Sequence, residues 1–403
     1  MYLNGIEKDM TMWRIAMTKE FRALPASVLW KMRGLLGSEK FTRINGQVMI
    51  NSFLPPFPSE AFNGLGRSIQ ALLQHKAIPI SAYVSVTDKC RYHCWHCSKT
   101  KRGGHEMSGD TVVKVVSDLQ KMGVCIIGFT GGEPLLSDDL ARFVKAVDQR
   151  SVSLLFTSGD GLTVERVREL KKAGLFGVAV SVDHFERRIH DERRGVEGAF
   201  DSALKAVRLV RDNGLYTMIQ LVATKEMAQA GMFQKYLELA GELGVHEIRL
   251  LEPMPTGQLM KCSGKCILDC RERKELQQLH VRTNSSSNLP KVSSFAHIES
   301  GEFYGCGAGF QHLYVDAMGN VCPCDFTPIS FGNVHEEDIN TIWERMNDAF
   351  RRPRRACFLL ENREKLNNEF TGELPLAYDK VRDKTIFSDG AGLPEYYKIL
   401  GWK

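Results

Sequence analysis

The sequence predicts an α/β fold built on a parallel sheet, and three observations predict it. Between residues 80 and 253, six short β-rich runs alternate with longer amphipathic stretches. Several of those stretches close on Gly, the residue helices prefer just past their last turn. Polar and glycine-rich clusters follow the β-rich runs, at the strand ends where parallel sheets bind ligands. Such a sheet is a barrel or an open doubly wound layer, and six units are too few for a full eight-fold barrel.

Residues 1–79 carry no chemical motif. Residues 10–37 interleave Trp13, Ile15, Met17, Phe21, Leu24, Leu29, Trp30 and Met32 with Arg and Lys, and Pro25 divides them into two expected helices. A basic amphipathic segment of this kind docks on its own domain or sits at a membrane surface. "INSFLPPFPSEAF", 50–62, reads as an extended connector, because successive X-Pro steps disfavour helix.

The expected strands are 82–87, 124–130, 152–158, 176–183, 216–224 and 246–252, each rich in β-branched or aromatic residues. Helices are expected within 109–123, 138–150, 164–174, 199–214 and 231–244. After residue 253 the alternation stops, and "RTNSSSNLPKVSS", 282–294, reads as a polar surface loop. The chain thus divides into 1–79, an amphipathic helical segment and connector; 80–253, the strand and helix core; 254–360, a cysteine-rich unit; and 361–403, a tail.

The balance of 53 Lys and Arg against 48 Asp and Glu is too mild for a dedicated nucleic-acid binder. No secretory signal is read at the amino terminus, and no apolar run approaches the ~20 residues that span a bilayer. The expectation is a cytoplasmic chain whose 11 cysteines serve metal or redox chemistry.

Three of those cysteines crowd into "DKCRYHCWHCSK", 88–99, directly after the first expected strand. A closed structural zinc site wants four ligands, whereas a four-iron cluster held by three cysteines leaves one iron open to a substrate or cofactor. A second motif, "GFTGGEPLL", 128–136, ends the second expected strand, and its glycines permit close backbone approach.

Together the CxxxCxxC and GGEP stretches resemble the signature of the radical SAM superfamily. The resemblance implies a partial (β/α)6 TIM-like barrel. It implies Cys90, Cys94 and Cys97 as ligands of a [4Fe-4S] cluster, with Gly131, Gly132 and Glu133 meeting the amino group of S-adenosylmethionine. Ser158 in "FTSGDG" and Ser181 in "VAVSVD" hold matching strand-end positions, and Arg194 in "RRGVEGAFDSAL" would pair with the cofactor carboxylate. Tyr92, Trp95 and His96 either approach the adenine or simply pack.

The segment "GCGAGFQHLYVDAMGNVCPCDF", 305–326, reads as a hairpin turning at 318–320, and "FGNVHEEDINTIWERM", 331–346, as a turn into a helix with Ile339, Ile342 and Trp343 on its apolar face. The combination resembles the SPASM or Twitch extension of radical SAM enzymes. It implies an auxiliary iron–sulfur cluster on Cys306, Cys324, Cys357 and either Cys322 or one of Cys262, Cys266 and Cys270, with a second auxiliary cluster left open. The dense downstream cysteines of the full SPASM pattern are missing. Spaced by four, Cys262, Cys266 and Cys270 would share one face if helical; zinc or unligated thiols are the alternatives. Cys125, inside an apolar strand, reads as a buried thiol. "LLEPMPTGQL", 250–259, aims Glu252 at the barrel mouth, and Asp316 and Asp325 are further polar candidates.

The function implied is reductive cleavage of S-adenosylmethionine to a 5′-deoxyadenosyl radical, which takes hydrogen from an unactivated carbon of a peptide or protein. A lipid or cofactor-precursor small molecule is the alternative substrate, and an iron–sulfur electron carrier or scaffold the alternative class. The implied electron donor is of the flavodoxin or ferredoxin kind.

Overall fold

A computed structural model describes residues 2–99, 103–227, 231–260, 262, 266–286, 289–370, 374–382, 385–388, 390 and 392–403. The amino terminus forms α1 (Gly5–Ala16), α2 (Lys19–Arg22) and α3 (Ala26–Leu35). A capping box between Asn4 and Glu7 starts α1, and Pro25 stands at the N-cap of α3. A hairpin not anticipated from the sequence follows, β1 (Thr42–Ile44) and β2 (Gln47–Met49). Asn45 and Gly46 turn it, both at positive φ. Then comes α4 (Glu60–Leu73), capped by Ser59.

The expected core strands are all present: β3 (Ser81–Thr87), β4 (Ile126–Gly131), β5 (Val152–Thr157), β6 (Gly177–Ser181), β7 (Tyr216–Val222) and β8 (Glu247–Leu251). They lie side by side in chain order and all parallel. Outside them run α5 (Gly109–Met122), α6 (Leu140–Ala146), α7 (Val164–Ala173), α8 (Arg187–Arg194), α9 (Ala199–Asp212) and α10 (Met232–Leu243). On α5, Val112, Val115, Val116 and Leu119 are buried in the same core as Val84, Val86, Ile127 and Phe129 of the sheet. The sheet curls: Arg249 on β8 reaches the Tyr83 hydroxyl on β3 at 3.3 Å, five strands away.

The sheet does not stop at residue 253. Residues 282–294, expected as a surface loop, instead end α11 (Cys270–Ser285) and form β9 (Lys291–Ser294), which pairs parallel with β8 and is buried throughout. The polar residues of this strand are interior, and the one charge among them, Lys291, is paired. The Lys291 ammonium lies 3.5 Å from Glu247 and donates to the Met49 and Ile50 carbonyls.

After a short α12 (Phe295–Ile298), the expected hairpin appears as β10 (His312–Val315) and β11 (Val321–Cys322). β10 pairs parallel with β3, so the cysteine hairpin extends the barrel sheet. Asp316 accepts from the Met318 and Asn320 amides and serves the turn. In α13 (Ile339–Ala349), Ile339, Ile342 and Trp343 are buried as expected.

Candidate functional site

The C-terminal ends of β3 to β8 open on one cavity. Cys90, Cys94 and Cys97 line it together with Gly131, Gly132, Glu133, Ser158, Ser181 and Arg194. The loop carrying the cysteines is fixed from several sides. His93 and Trp95 donate backbone hydrogen bonds to Arg194 and Arg193, and Gln258 donates to the Cys97 carbonyl at 2.9 Å. Gly132 and Glu133 donate to Thr87 and Lys89. The glycines of GGEP sit so close to that loop that a Cβ on Gly132 would stand 2.3 Å from the Lys89 carbonyl oxygen, and one on Gly131 2.2 Å from that of Thr87. The Pro-Thr-Gly turn does the same job at the other side, its Gly257 pressed on Cys97 and Ser98.

Glu133 is buried, and its carboxylate accepts from the Ser158 amide (2.8 Å), the Ser158 and Thr157 hydroxyls (2.5 Å each) and the Leu135 amide (3.1 Å). Burial raises its carboxyl above the usual carboxylate range, while those hydrogen bonds pull it back. Ser158 therefore acts here by holding Glu133.

Asp183, two residues beyond Ser181, organises the opposite wall. Its Oδ2 lies 2.8 Å from Arg194 Nε and 3.2 Å from His96 Nε2. Burial pushes this carboxyl up, but Arg194 and His96 outweigh it and hold it well below the ordinary range. Arg194 also donates to the Cys94 thiol at 3.6 Å, so its guanidinium is tied to the cluster loop as well as to Asp183. His96 is engaged by Asp183 rather than turned to the cysteines. This donor set, three thiols around one hollow with the motif's imidazole engaged by Asp183, fits a four-iron cluster with one corner left to a cofactor.

Cys306, Cys324 and Cys357 line an adjoining cavity. The Cys306 amide donates to the Arg354 carbonyl at 2.9 Å, and the hydrogen bond between the Cys306 and Cys357 thiols draws the first down and pushes the second up. Cys322, opposite Tyr314 on the hairpin, borders a different hollow with Lys99 and Asp316, and Cys324 borders both. The three thiols of the first hollow fit an auxiliary cluster.

The expectation that Cys262, Cys266 and Cys270 share a helical face is corrected. Cys262 and Cys266 are bonded to each other as a disulfide, and α11 begins only at Cys270, which is exposed. The capping box of Asp269 and Glu272 starts the helix there, after the first two cysteines. Cys125 is buried in the barrel wall and donates to the Ile80 carbonyl, its thiol pushed up to about 12 by burial.

Arg249 escaped the sequence reading. It is buried in the barrel, bonded to Ser52 and Gln220 and within 5.3 Å of the rings of Phe53, Phe156 and Phe295. Its signal was a charge set between Ile248 and Leu250 inside a buried strand. Glu252 does face the cavity, clamped by Arg273 of α11 at 2.6 and 3.2 Å, a pairing no local pattern announces. Asp325 borders both cysteine cavities and lies 3.2 Å from His312.

Residues 84–227 match the model of the Radical SAM superfamily, and residues 306–368 match that of an iron-sulfur cluster-binding domain, SPASM. The chain is similar to the AdoMet-dependent heme synthase of Methanosarcina barkeri, 26% identical over 292 residues that make up 67% of this chain and 83% of that protein. It is similar to the PqqA peptide cyclase of Bradyrhizobium diazoefficiens, 28% identical over 305 residues, 70% of this chain and 77% of the other. In fold it resembles Streptococcus suis SuiB bound to the precursor peptide SuiA, with a TM-score of 0.58 at 15% identity over 84% of this chain and 81% of that one. Matched at both its barrel and its cysteine hairpin, the chain is an enzyme of the radical SAM superfamily with a SPASM iron–sulfur cluster-binding domain.

Proposed function

We propose that the enzyme cleaves S-adenosylmethionine reductively and takes hydrogen from an unactivated carbon of a substrate seated between its two sets of cysteines. The observation that carries this reading is that the two cysteine-lined cavities share walls, among them Tyr83, Glu252, Phe295 and Asp325. A reduced cluster held there would supply one electron to the sulfonium of S-adenosylmethionine, whose carbon–sulfur bond breaks to give methionine and a 5′-deoxyadenosyl radical. Cys90, Cys94 and Cys97 would hold that cluster. Glu133, strapped to the end of β5, would receive the amino group of the methionine part, while Arg194 and Ser181 line the opposite side. Cys306, Cys324 and Cys357 would hold the auxiliary cluster, with Cys322 one hollow away. Arg249, Phe156 and Phe295 line the same cavity and would help keep water from the reacting carbon.

A peptide or protein substrate is supported by what SuiB and the PqqA cyclase are named for. A second reading, an apolar small molecule, is favoured by a specific observation: the auxiliary cavity meets a deep apolar groove at Leu54, Ile80, Phe303 and Tyr304. The test of the shared chemistry is 5′-deoxyadenosine release from anaerobically reconstituted protein with dithionite. Loss of release in Glu133→Ala and in the Cys90→Ala, Cys94→Ala, Cys97→Ala triple variant supports the reading. Release by wild type no greater than by the triple variant leaves an iron–sulfur carrier instead.

A further inference from the structure

We propose that the amino-terminal helices dock on an anionic lipid bilayer, and that the groove they wall admits the apolar chain of a lipid-borne substrate toward the cysteine-lined cavities. The proposal rests on the second substrate reading above and gives it an entrance.

Large apolar side chains are seldom left in water, and here they are concentrated. Of eight such exposed side chains among the described residues, five lie in α1 to α3 and their caps: Ile6, Met10, Trp13, Met17 and Trp30, between 53% and 75% exposed. The first four are spaced by four, three and four residues, so they form one stripe along α1 that faces away from the buried Thr11 and Ile15. Each of the four side chains is more than half exposed among the described residues. Trp13 in the stripe and Trp30 on α3 are both exposed and line the same groove, and Trp is the residue type that settles at the boundary of water and hydrocarbon.

Charge selects the occupant. Residues 5–35 hold six Lys and Arg against three Asp and Glu. The three acids are already engaged, Glu7 with Arg43, Asp9 with Arg33 and Glu20 with Arg67. Arg14, Lys19, Arg22 and Lys31 remain exposed around the apolar stripe. An apolar stripe rimmed by cations complements an anionic headgroup layer lying over hydrocarbon, and it asks for surface binding only. In keeping with that, no helix among the described residues is long and apolar enough to cross a membrane.

Behind the stripe lies the groove, about 460 Å³, a volume typical of a ligand site. Trp13, Met17, Leu29 and Trp30 stand at its outer part. Leu54, Ile80, Phe303 and Tyr304 stand at its inner part and are shared with the hollow of Cys306, Cys324 and Cys357. A chain entering from a bilayer would meet apolar walls the whole way to the auxiliary site.

The test uses the full chain and phosphatidylcholine vesicles with and without phosphatidylglycerol. Wild type is expected to sediment with the anionic vesicles and to be released by salt. Trp13→Ser with Trp30→Ser should weaken sedimentation roughly tenfold or more while leaving 5′-deoxyadenosine release unchanged. A fatty acid carrying a diazirine near its methyl end should label peptides containing Leu54, Ile80 or Tyr304, and Ala26→Trp in the groove wall should abolish that label without abolishing sedimentation. Sedimentation that is absent, or equal in the double variant, overturns the proposal, as does labelling confined to α1. A wild-type dimer dissolved by the double variant would assign the stripe to a second copy and overturn it too. Vesicle binding without 5′-deoxyadenosine release would instead refute the proposed chemistry and leave the docking standing.

Discussion

Gly257 offers a sharp test of how the cluster loop is held. It sits at φ +55°, and a Cβ there would lie 2.1 Å from the Cys97 carbonyl oxygen and 2.5 Å from the Ser98 carbonyl carbon. Real Cβ contacts respect 3.0 Å, so Gly257→Ala must drive the Cys97 carbonyl back by about 0.9 Å. It also incurs the left-handed penalty, roughly 1–2 kcal/mol. Gly174→Ala is the control: φ is +109° and nothing lies within 4 Å, so only the backbone penalty applies. Misplacing a reacting group by ~1 Å costs on the order of 100-fold in rate. The expectation is that Gly257→Ala loses more stability in urea titration than Gly174→Ala, and that Gly257→Ala alone loses about 100-fold in 5′-deoxyadenosine release. If the two variants release it equally, the Pro-Thr-Gly turn does not position the Cys97 corner.

Three further outcomes follow from the same geometry. Asp183→Asn leaves the buried Arg194 charge without its counter-ion and should cost about 3–5 kcal/mol in chemical denaturation; a loss under about 1 kcal/mol would mean that the Cys94 thiol carries that charge instead. Burial holds His190, His246 and His297 each at about 4, below the ordinary 6.5. The folded chain thus refuses protons that the unfolded chain binds, so stability is full above about pH 6.5 and falls toward pH 4, at about 1 kcal/mol per pH unit for each ring; flat stability between pH 7 and 5 would contradict it. Replacing Cys306, Cys324 and Cys357 by Ala should remove about four irons per chain and spare the first cluster's spectrum on cofactor addition, whereas an unchanged iron count would move the auxiliary site to other cysteines.

Much of this enzyme was legible in the chain as written. Strand and helix alternation gave the six core strands because burial on one face imposes a period on local sequence, and a barrel wall is made of such local units. The CxxxCxxC loop was legible because three thiolates that must meet one cluster cannot be far apart, and GGEP because a backbone that must approach another closely needs glycine. Even the cysteine hairpin showed itself, through its turn and alternation.

What only the tertiary structure decided concerns pairs that are distant in sequence. Lys291 looked like loop because its partner Glu247 lies 44 residues away, and β9 with it. The attachment of the hairpin to β3, the clamp of Arg273 on Glu252 and the use of Ser158 to hold Glu133 are likewise long-range. The separation of Cys262 and Cys266 from Cys270 depends on where α11 is capped, and the meeting of the apolar groove with the auxiliary hollow on where the connector at Leu54 crosses the barrel. A buried charge is tolerated only where the fold brings its partner, and a cavity exists only between elements that have already been packed; neither leaves a periodic mark on the sequence.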